Sequence, residues 1–246
     1  MRRTLLTPAG MLAAASALVC LSAAGDARPE TQANAPAAEA AVPAPDASEP
    51  AAPEPPPRLV GNPANGATKS MVCGGCHGPD GNAPVPMFPK LAGQRSDYVA
   101  KQLHDFKSGQ RVDPVMAGMA AMLSDQDIAD VAAHFESIAV NPGTSDPALA
   151  ELGERVYRMG RTEIGLLPCI GCHGPSGEGA NGAIDGGFPA IGGQNPDYLV
   201  KQLQSFRAGS RANDWKGIMQ VIASRLSDED IAALAAYVIS LPKESE

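Results

Sequence analysis

Apolar positions recur at helical spacing from Tyr98 to Phe106 and again from Tyr198 to Phe206, and Gly109 or Gly209 follows each run. The spacing predicts a helix closed by glycine in both places. Further on, Ser124 with Asp127 and Ser227 with Asp230 form pairs of N-cap and third helical residue. Each opens a helix whose apolar face carries Ile128, Val131, Ala132 and Phe135, or Ile231, Leu234, Ala235 and Val238. A helix from Pro147 to Met159, with Leu149, Leu152, Val156 and Met159 on one face, leads into the second half, and the first half is expected to open in the same way. Asn141-Pro142-Gly143 reads as the hinge between the halves.

The two halves carry the same pattern because they carry much the same sequence. Phe88-Pro89-Lys90-Leu91-Ala92-Gly93-Gln94 matches Phe188-Pro189-Ala190-Ile191-Gly192-Gly193-Gln194, and Asp97-Tyr98 with Lys101-Gln102-Leu103 matches Asp197-Tyr198 with Lys201-Gln202-Leu203. Phe106, Leu123-Ser124-Asp125 and Ile128-Ala129 match Phe206, Leu226-Ser227-Asp228 and Ile231-Ala232. This is a duplicated domain. The second copy holds sixteen positions from Gly153 to Cys169 where the first holds seven from Gly66 to Cys73.

The front of the chain has a different pattern. Arg2 and Arg3 precede an alanine-rich apolar run from Ala9 to Ala24, shorter than the roughly 18–20 residues of a membrane span, so residues 1–24 read as a cleaved signal peptide. An uncleaved anchor is the alternative. Residues 25–58 are dominated by Ala and Pro and offer no periodic apolar face, as expected of a disordered linker. Without the leader the chain has 17 basic and 27 acidic residues, a charge of −10. Nucleic acid is excluded as a partner by that balance, and basic patches on other proteins are favoured. The leader also takes Cys20 with it, so no cysteine remains for a structural disulfide.

The four remaining cysteines carry the chemistry. Cys73-Gly74-Gly75-Cys76-His77 and Cys169-Ile170-Gly171-Cys172-His173 have the spacing by which c-type haem is attached: two thiols add to the two vinyl groups of one porphyrin and the next imidazole meets the iron. Zinc or a thioredoxin-like centre would fit a lone Cys-x-x-Cys. Two copies, each with its His and each followed by Gly-Pro, point to two covalently attached haem c groups, one per half. Each half, at about 80–100 residues with few aromatics, has little apolar material of its own, so haem attachment and folding should be coupled.

His77 and His173 are the expected proximal ligands, and the opposite ligand decides whether the iron carries electrons or binds substrate. Seven residues before Leu123 and Leu226 stand Met116 and Met219, so the repeat selects one methionine per half. Met119 and Met122 correspond to Ile222 and Arg225. Bis-histidine ligation is disfavoured, because His104 and His134 are matched by Gln204 and Tyr237. Pro89 and Pro189, twelve and sixteen residues after their histidines, are the candidates to accept the other imidazole N–H through their carbonyls. Tyr98, Lys101, Tyr198 and Lys201 face either haem propionates or solvent.

The paired haem motifs, the Phe-Pro-x-x-x-Gly-Gln segments, the Tyr-x-x-Lys-Gln-Leu helices and Met116 and Met219 ahead of Leu-Ser-Asp resemble the dihaem cytochrome c4 family from about Gly61 to Leu241. That resemblance implies an all-α fold of two tandem class I cytochrome c domains, 59–142 and 143–246, each wrapped around one covalently bound haem c and related by a pseudo-twofold axis. It implies that the Pro89 and Pro189 carbonyls take the histidine hydrogen bonds. It also implies a monomeric periplasmic one-electron carrier, with a quinol-oxidising complex or dehydrogenase as donor and a terminal oxidase or reductase as acceptor, and not an enzyme. The alternatives are an electron-accepting cytochrome subunit of a periplasmic dehydrogenase and a dihaem peroxidase. The long Ala/Pro linker departs from the family pattern and leaves open a membrane tether through the N-terminal segment.

Overall fold

The computed structural model describes residues 59–180 and 184–241. The signal peptide, the linker and Cys20 lie outside the described residues. Ten α-helices are found among those described. In the first half they are α1 (Pro63–Lys69), α2 (Gly74–His77), α3 (Ser96–Ser108), α4 (Pro114–Ala121) and α5 (Asp125–Glu136). The second half repeats them as α6 (Pro147–Met159), α7 (Ile170–His173), α8 (Pro196–Arg207), α9 (Ile218–Ala223) and α10 (Asp228–Ile239). Apart from the isolated pairings Arg161 with Leu166 and Ala180 with Phe188, no extended pairing occurs among the described residues.

Local chemistry accounts for where these helices start. Asn62 caps α1 by accepting from the Ala64 and Asn65 N–H groups, with Pro63 at the first helical position. Ser124 and Ser227 open α5 and α10 with capping boxes completed by Asp127 and Asp230. Asp146 caps α6 ahead of Pro147.

The first and last helices of each half cross in close contact. The crossing depends on a missing side chain, since a Cβ on Gly66 would lie 2.0 Å from the Asp130 carbonyl oxygen, and one on Gly153 2.0 Å from that of Ala233. The α5 face buries Ile128, Val131, Ala132 and Phe135; the α10 face buries Ile231, Leu234, Ala235 and Val238. Each large member of these sets contributes roughly 1.5–3 kcal/mol by leaving water. The second half adds Tyr157 and Tyr237, whose rings lie 5.4 Å apart, with the Tyr157 hydroxyl donating to the Gly174 carbonyl at 2.7 Å.

One expectation needs correction. The buried face of α6 is built on Gly153, Val156 and Tyr157, whereas Met159 is 62% exposed, because the helix stops at Gly160 and the chain leaves for the Arg161–Leu166 turn. The Asn141-Pro142-Gly143 connector is tied to the first half on one side and to the second on the other. The Asn141 N–H donates to Asn82 Oδ1 at 2.7 Å, the Asn141 carbonyl accepts from Lys90 Nζ, and the Gly143 N–H donates to the Ile239 carbonyl at 2.8 Å.

Candidate functional site

Each Cys-x-x-Cys-His segment folds into one helical turn, α2 or α7, started by its first cysteine. The His77 and His173 amides donate to the Cys73 and Cys169 carbonyls at 3.0 and 2.9 Å, which ties the imidazole to the thiol pair within that turn. Gly78 and Gly174 follow at φ 81° and 80°, a left-handed geometry that turns the chain back beneath the histidine. The four motif cysteines form no disulfide. Burial raises the Cys73 thiol and pushes Cys169 up to about 11.

Both imidazoles are 7% exposed. His77 Nδ1 lies 2.9 Å from the Pro89 carbonyl oxygen and His173 Nδ1 lies 3.0 Å from that of Pro189. A carbonyl can only accept, so Nδ1 carries the proton and the unprotonated Nε2 is left as a metal ligand. Burial lowers both histidine pKa values against the opposing pull of those carbonyls, which favours the neutral, ligating form.

The two motifs open on one continuous cavity of about 1120 Å³. Its walls carry Cys73, Cys76, His77, Met116 and Met119 from the first half, and Cys169, Cys172, His173, Met219 and Ile222 from the second. Apolar side chains of the repeat, including Val99, Phe106 and Val131 against Leu199, Phe206 and Leu234, line the rest. Its volume exceeds the roughly 300–1,000 Å³ of a pocket for one small molecule, and the lining suits two large apolar rings. Paired thiols for the vinyl groups, with a neutral imidazole and a thioether for the iron, are what c-type haem requires. The residues present therefore fit two such groups.

Met116 and Met219 stand at the first turns of α4 and α9, held by matching carboxylates. Asp113 Oδ1 accepts the Met116 N–H at 3.1 Å, and Asp214 Oδ2 accepts the Met219 N–H at 2.7 Å. His104 and His134 lie on α3 and α5 and do not line the cavity.

Tyr98, Lys101, Tyr198 and Lys201 all line the cavity, but the tyrosine hydroxyls are taken by arginines of the opposite half. Arg111 donates to Tyr198 at 3.0 Å and to Gln202 at 2.9 Å, while Arg211 donates to Tyr98 at 2.8 Å and to Gln102 at 3.1 Å. Each guanidinium also covers the face of its own phenylalanine, Phe106 or Phe206, at 4.7 and 4.4 Å. Although burial opposes ionisation of the Tyr198 phenol, Arg111 and Arg211 hold it below its ordinary value. Sequence reasoning missed both arginines and the two aspartates. Arg111 and Arg211 occupy matching positions two residues after Gly109 and Gly209, and the repeat could have marked them.

The cytochrome c family model matches the chain twice, over residues 63–139 and 150–242. Cytochrome c4 of Pseudomonas aeruginosa is 50% identical over 183 residues, covering 74% of this chain and 90% of that protein. A thiosulfate dehydrogenase electron acceptor of Stutzerimonas stutzeri is 38% identical over 173 residues, covering 68% of this chain and 78% of that protein. The crystal structure of reduced recombinant cytochrome c4 from Pseudomonas stutzeri matches with a TM-score of 0.71 at 46% identity, covering 74% of this chain and 100% of that one.

Proposed function

The chain belongs to the cytochrome c4 family and is a dihaem electron-transfer protein with two covalent haem c groups, and we propose that it works as a periplasmic one-electron carrier with histidine and methionine at both irons. His77 with Met116 forms the first site and His173 with Met219 the second. The single observation that carries this reading is that each His–Met pair borders one cavity with its own cysteine pair, while His104 and His134 stand outside it.

Haem supplies the one-electron chemistry. The chain holds each imidazole in one tautomer against a proline carbonyl, places a thioether on the cavity wall, and surrounds both with apolar side chains that exclude water. With a histidine and a methionine both holding each iron, no position would be left for a substrate, so neither a catalytic acid nor a base is assigned. The donor is a quinol-oxidising complex or dehydrogenase, and the acceptor a terminal oxidase or reductase. The formal charge of −8 for the whole chain supports recognition through basic patches on those proteins.

A second reading is favoured by the thiosulfate dehydrogenase electron acceptor at 38% identity: the chain is the electron-accepting subunit of a dehydrogenase. Purification from the native host, with mass determination, absorption spectroscopy and redox titration, tests both. Two haems, methionine-ligated spectra and no bound partner support the carrier. A catalytic subunit that co-purifies in fixed ratio supports the second reading, and fast peroxide turnover overturns both.

A further inference from the structure

The peptide groups Pro89–Lys90 and Pro189–Ala190 are each hydrogen-bonded at both ends, and the two partners belong to different halves of the molecule. The Pro89 carbonyl accepts from His77 at 2.9 Å, while the N–H of the same peptide, on Lys90, donates to Oε1 of Gln194 at 2.8 Å. In mirror fashion, the Pro189 carbonyl accepts from His173 at 3.0 Å and the Ala190 N–H donates to Oε1 of Gln94 at 2.9 Å. Each glutamine also donates through Nε2 to the following carbonyl, Gln194 to Lys90 at 3.0 Å and Gln94 to Ala190 at 2.7 Å. Both glutamines are 7% exposed, so water does not compete strongly for these bonds.

A peptide whose N–H is given to an acceptor is polarised, and its carbonyl becomes a stronger acceptor in turn, by ~10–30% per bond in a chain. The Pro89 oxygen therefore pulls harder on the His77 Nδ1 proton because Gln194 holds the other end of the peptide. A more strongly bonded Nδ1–H makes Nε2 a more basic ligand, and a more basic ligand favours oxidised iron. We propose that Gln194 and Gln94 are positioning residues that lower the reduction potential of the haem in the opposite half, Gln194 acting on the site of His77 and Gln94 on the site of His173. The proposal rests on His77 and His173 being iron ligands. It makes closure of the interface between the halves part of what sets both potentials.

The test uses the full haem-loaded protein with Gln194→Leu and Gln94→Leu, in a redox titration monitored by NMR through the haem-methyl signals of each half. Gln194→Leu is expected to favour reduction of the haem at His77 about threefold, about 30 mV at 59 mV per tenfold for one electron, and to leave the other near its original value. Gln94→Leu is expected to do the converse. In the reduced protein, the Nδ1 proton of the affected histidine moves upfield while its counterpart stays. Equal shifts in both halves, a shift confined to the glutamine's own half, or unmoved potentials and Nδ1 protons overturn the proposal. Should the leucine variants fail to load haem, Gln194→Glu keeps an acceptor and is expected to lower the potential at His77 more than at His173; the reverse order overturns the proposal. Failure of the ligand assignment is seen separately. Ring protons of His77 and His173 at ordinary aromatic shifts in the reduced parent protein would refute ligation before any variant is made.

Discussion

Arg111 of the first half donates to the Tyr198 hydroxyl of the second at 3.0 Å, and Arg211 returns the bond to Tyr98 at 2.8 Å. Tyr198→Phe or Tyr98→Phe leaves a part-buried guanidinium N–H short of one acceptor, at a cost of about 1–2 kcal/mol. The two bonds share Gln102 and Gln202, so the double variant should depart from additivity by ~0.5 kcal/mol or more in denaturant unfolding. Additive losses would show that the two arginines act independently.

Gly66→Ala and Gly153→Ala force a Cβ against a backbone oxygen of the crossing helix. Backbone cannot swing aside as a side chain can, so each change should cost about 3 kcal/mol, the upper end of overpacking. Lower haem-loaded yield and a lower denaturant midpoint are the expected readings. An alanine variant of parental stability would contradict the close crossing of α1 on α5, or of α6 on α10.

Met116→Ala should abolish the methionine-to-iron charge-transfer band of one haem, and Met219→Ala that of the other, while Met119→Ala keeps both. Loss of the band on replacing Met119 and not Met116 would reassign the first site. Asp214→Ala should weaken the Met219 end of α9 by about 1 kcal/mol, as for a lost cap. The measurement is the denaturant midpoint at which the second haem loses its band.

Removing haem leaves the cavity without its contents. Its apolar lining would then meet water, and at roughly 1.5–3 kcal/mol for each large side chain so exposed, a handful of them outweighs the ~5–15 kcal/mol net stability of ordinary domains. Serine variants of the four motif cysteines, purified without haem, should therefore be largely unfolded by circular dichroism. A compact, protease-resistant apoprotein would refute this.

Acid should loosen the first half through Asp127 and Asp130. Lys69 foremost, with Ser124, holds the Asp127 carboxyl well below its ordinary value; the Asn62 N–H foremost, with Gln126 and Lys69, lowers that of Asp130. Depressed folded-state values mean that the stabilisation is complete above the unfolded value of about 3.9 and is lost as pH falls below it. Asp127→Asn should flatten the pH dependence of unfolding below pH ~4, and an unchanged slope would remove Asp127 from the account.

Much of the fold was legible because it is written in local terms. The Ser124 and Ser227 capping pairs and the spacing of Ile128, Val131 and Phe135 depend on residues within one or two turns. The haem motifs were legible for the same reason, and the register of the repeat singled out Met116 and Met219, which both line the cavity. The roles of Arg111, Arg211, Gln94 and Gln194 were not legible, since their partners lie 87–113 residues away and periodicity says nothing about what faces what across an interface. Met159 was misplaced for a subtler reason. Its spacing matches the buried face of α6, but the helix ends before that position reaches the core.

The exchange of partners between the halves has an evolutionary consequence. A surface on which Arg111 meets Tyr198 while Arg211 meets Tyr98 is self-complementary, the hallmark of a symmetric dimer. An ancestral single-haem protein bearing that surface would already have paired with its own copy. Duplication and fusion would then have made the pairing permanent, turning the interface of a dimer into the interior of one chain.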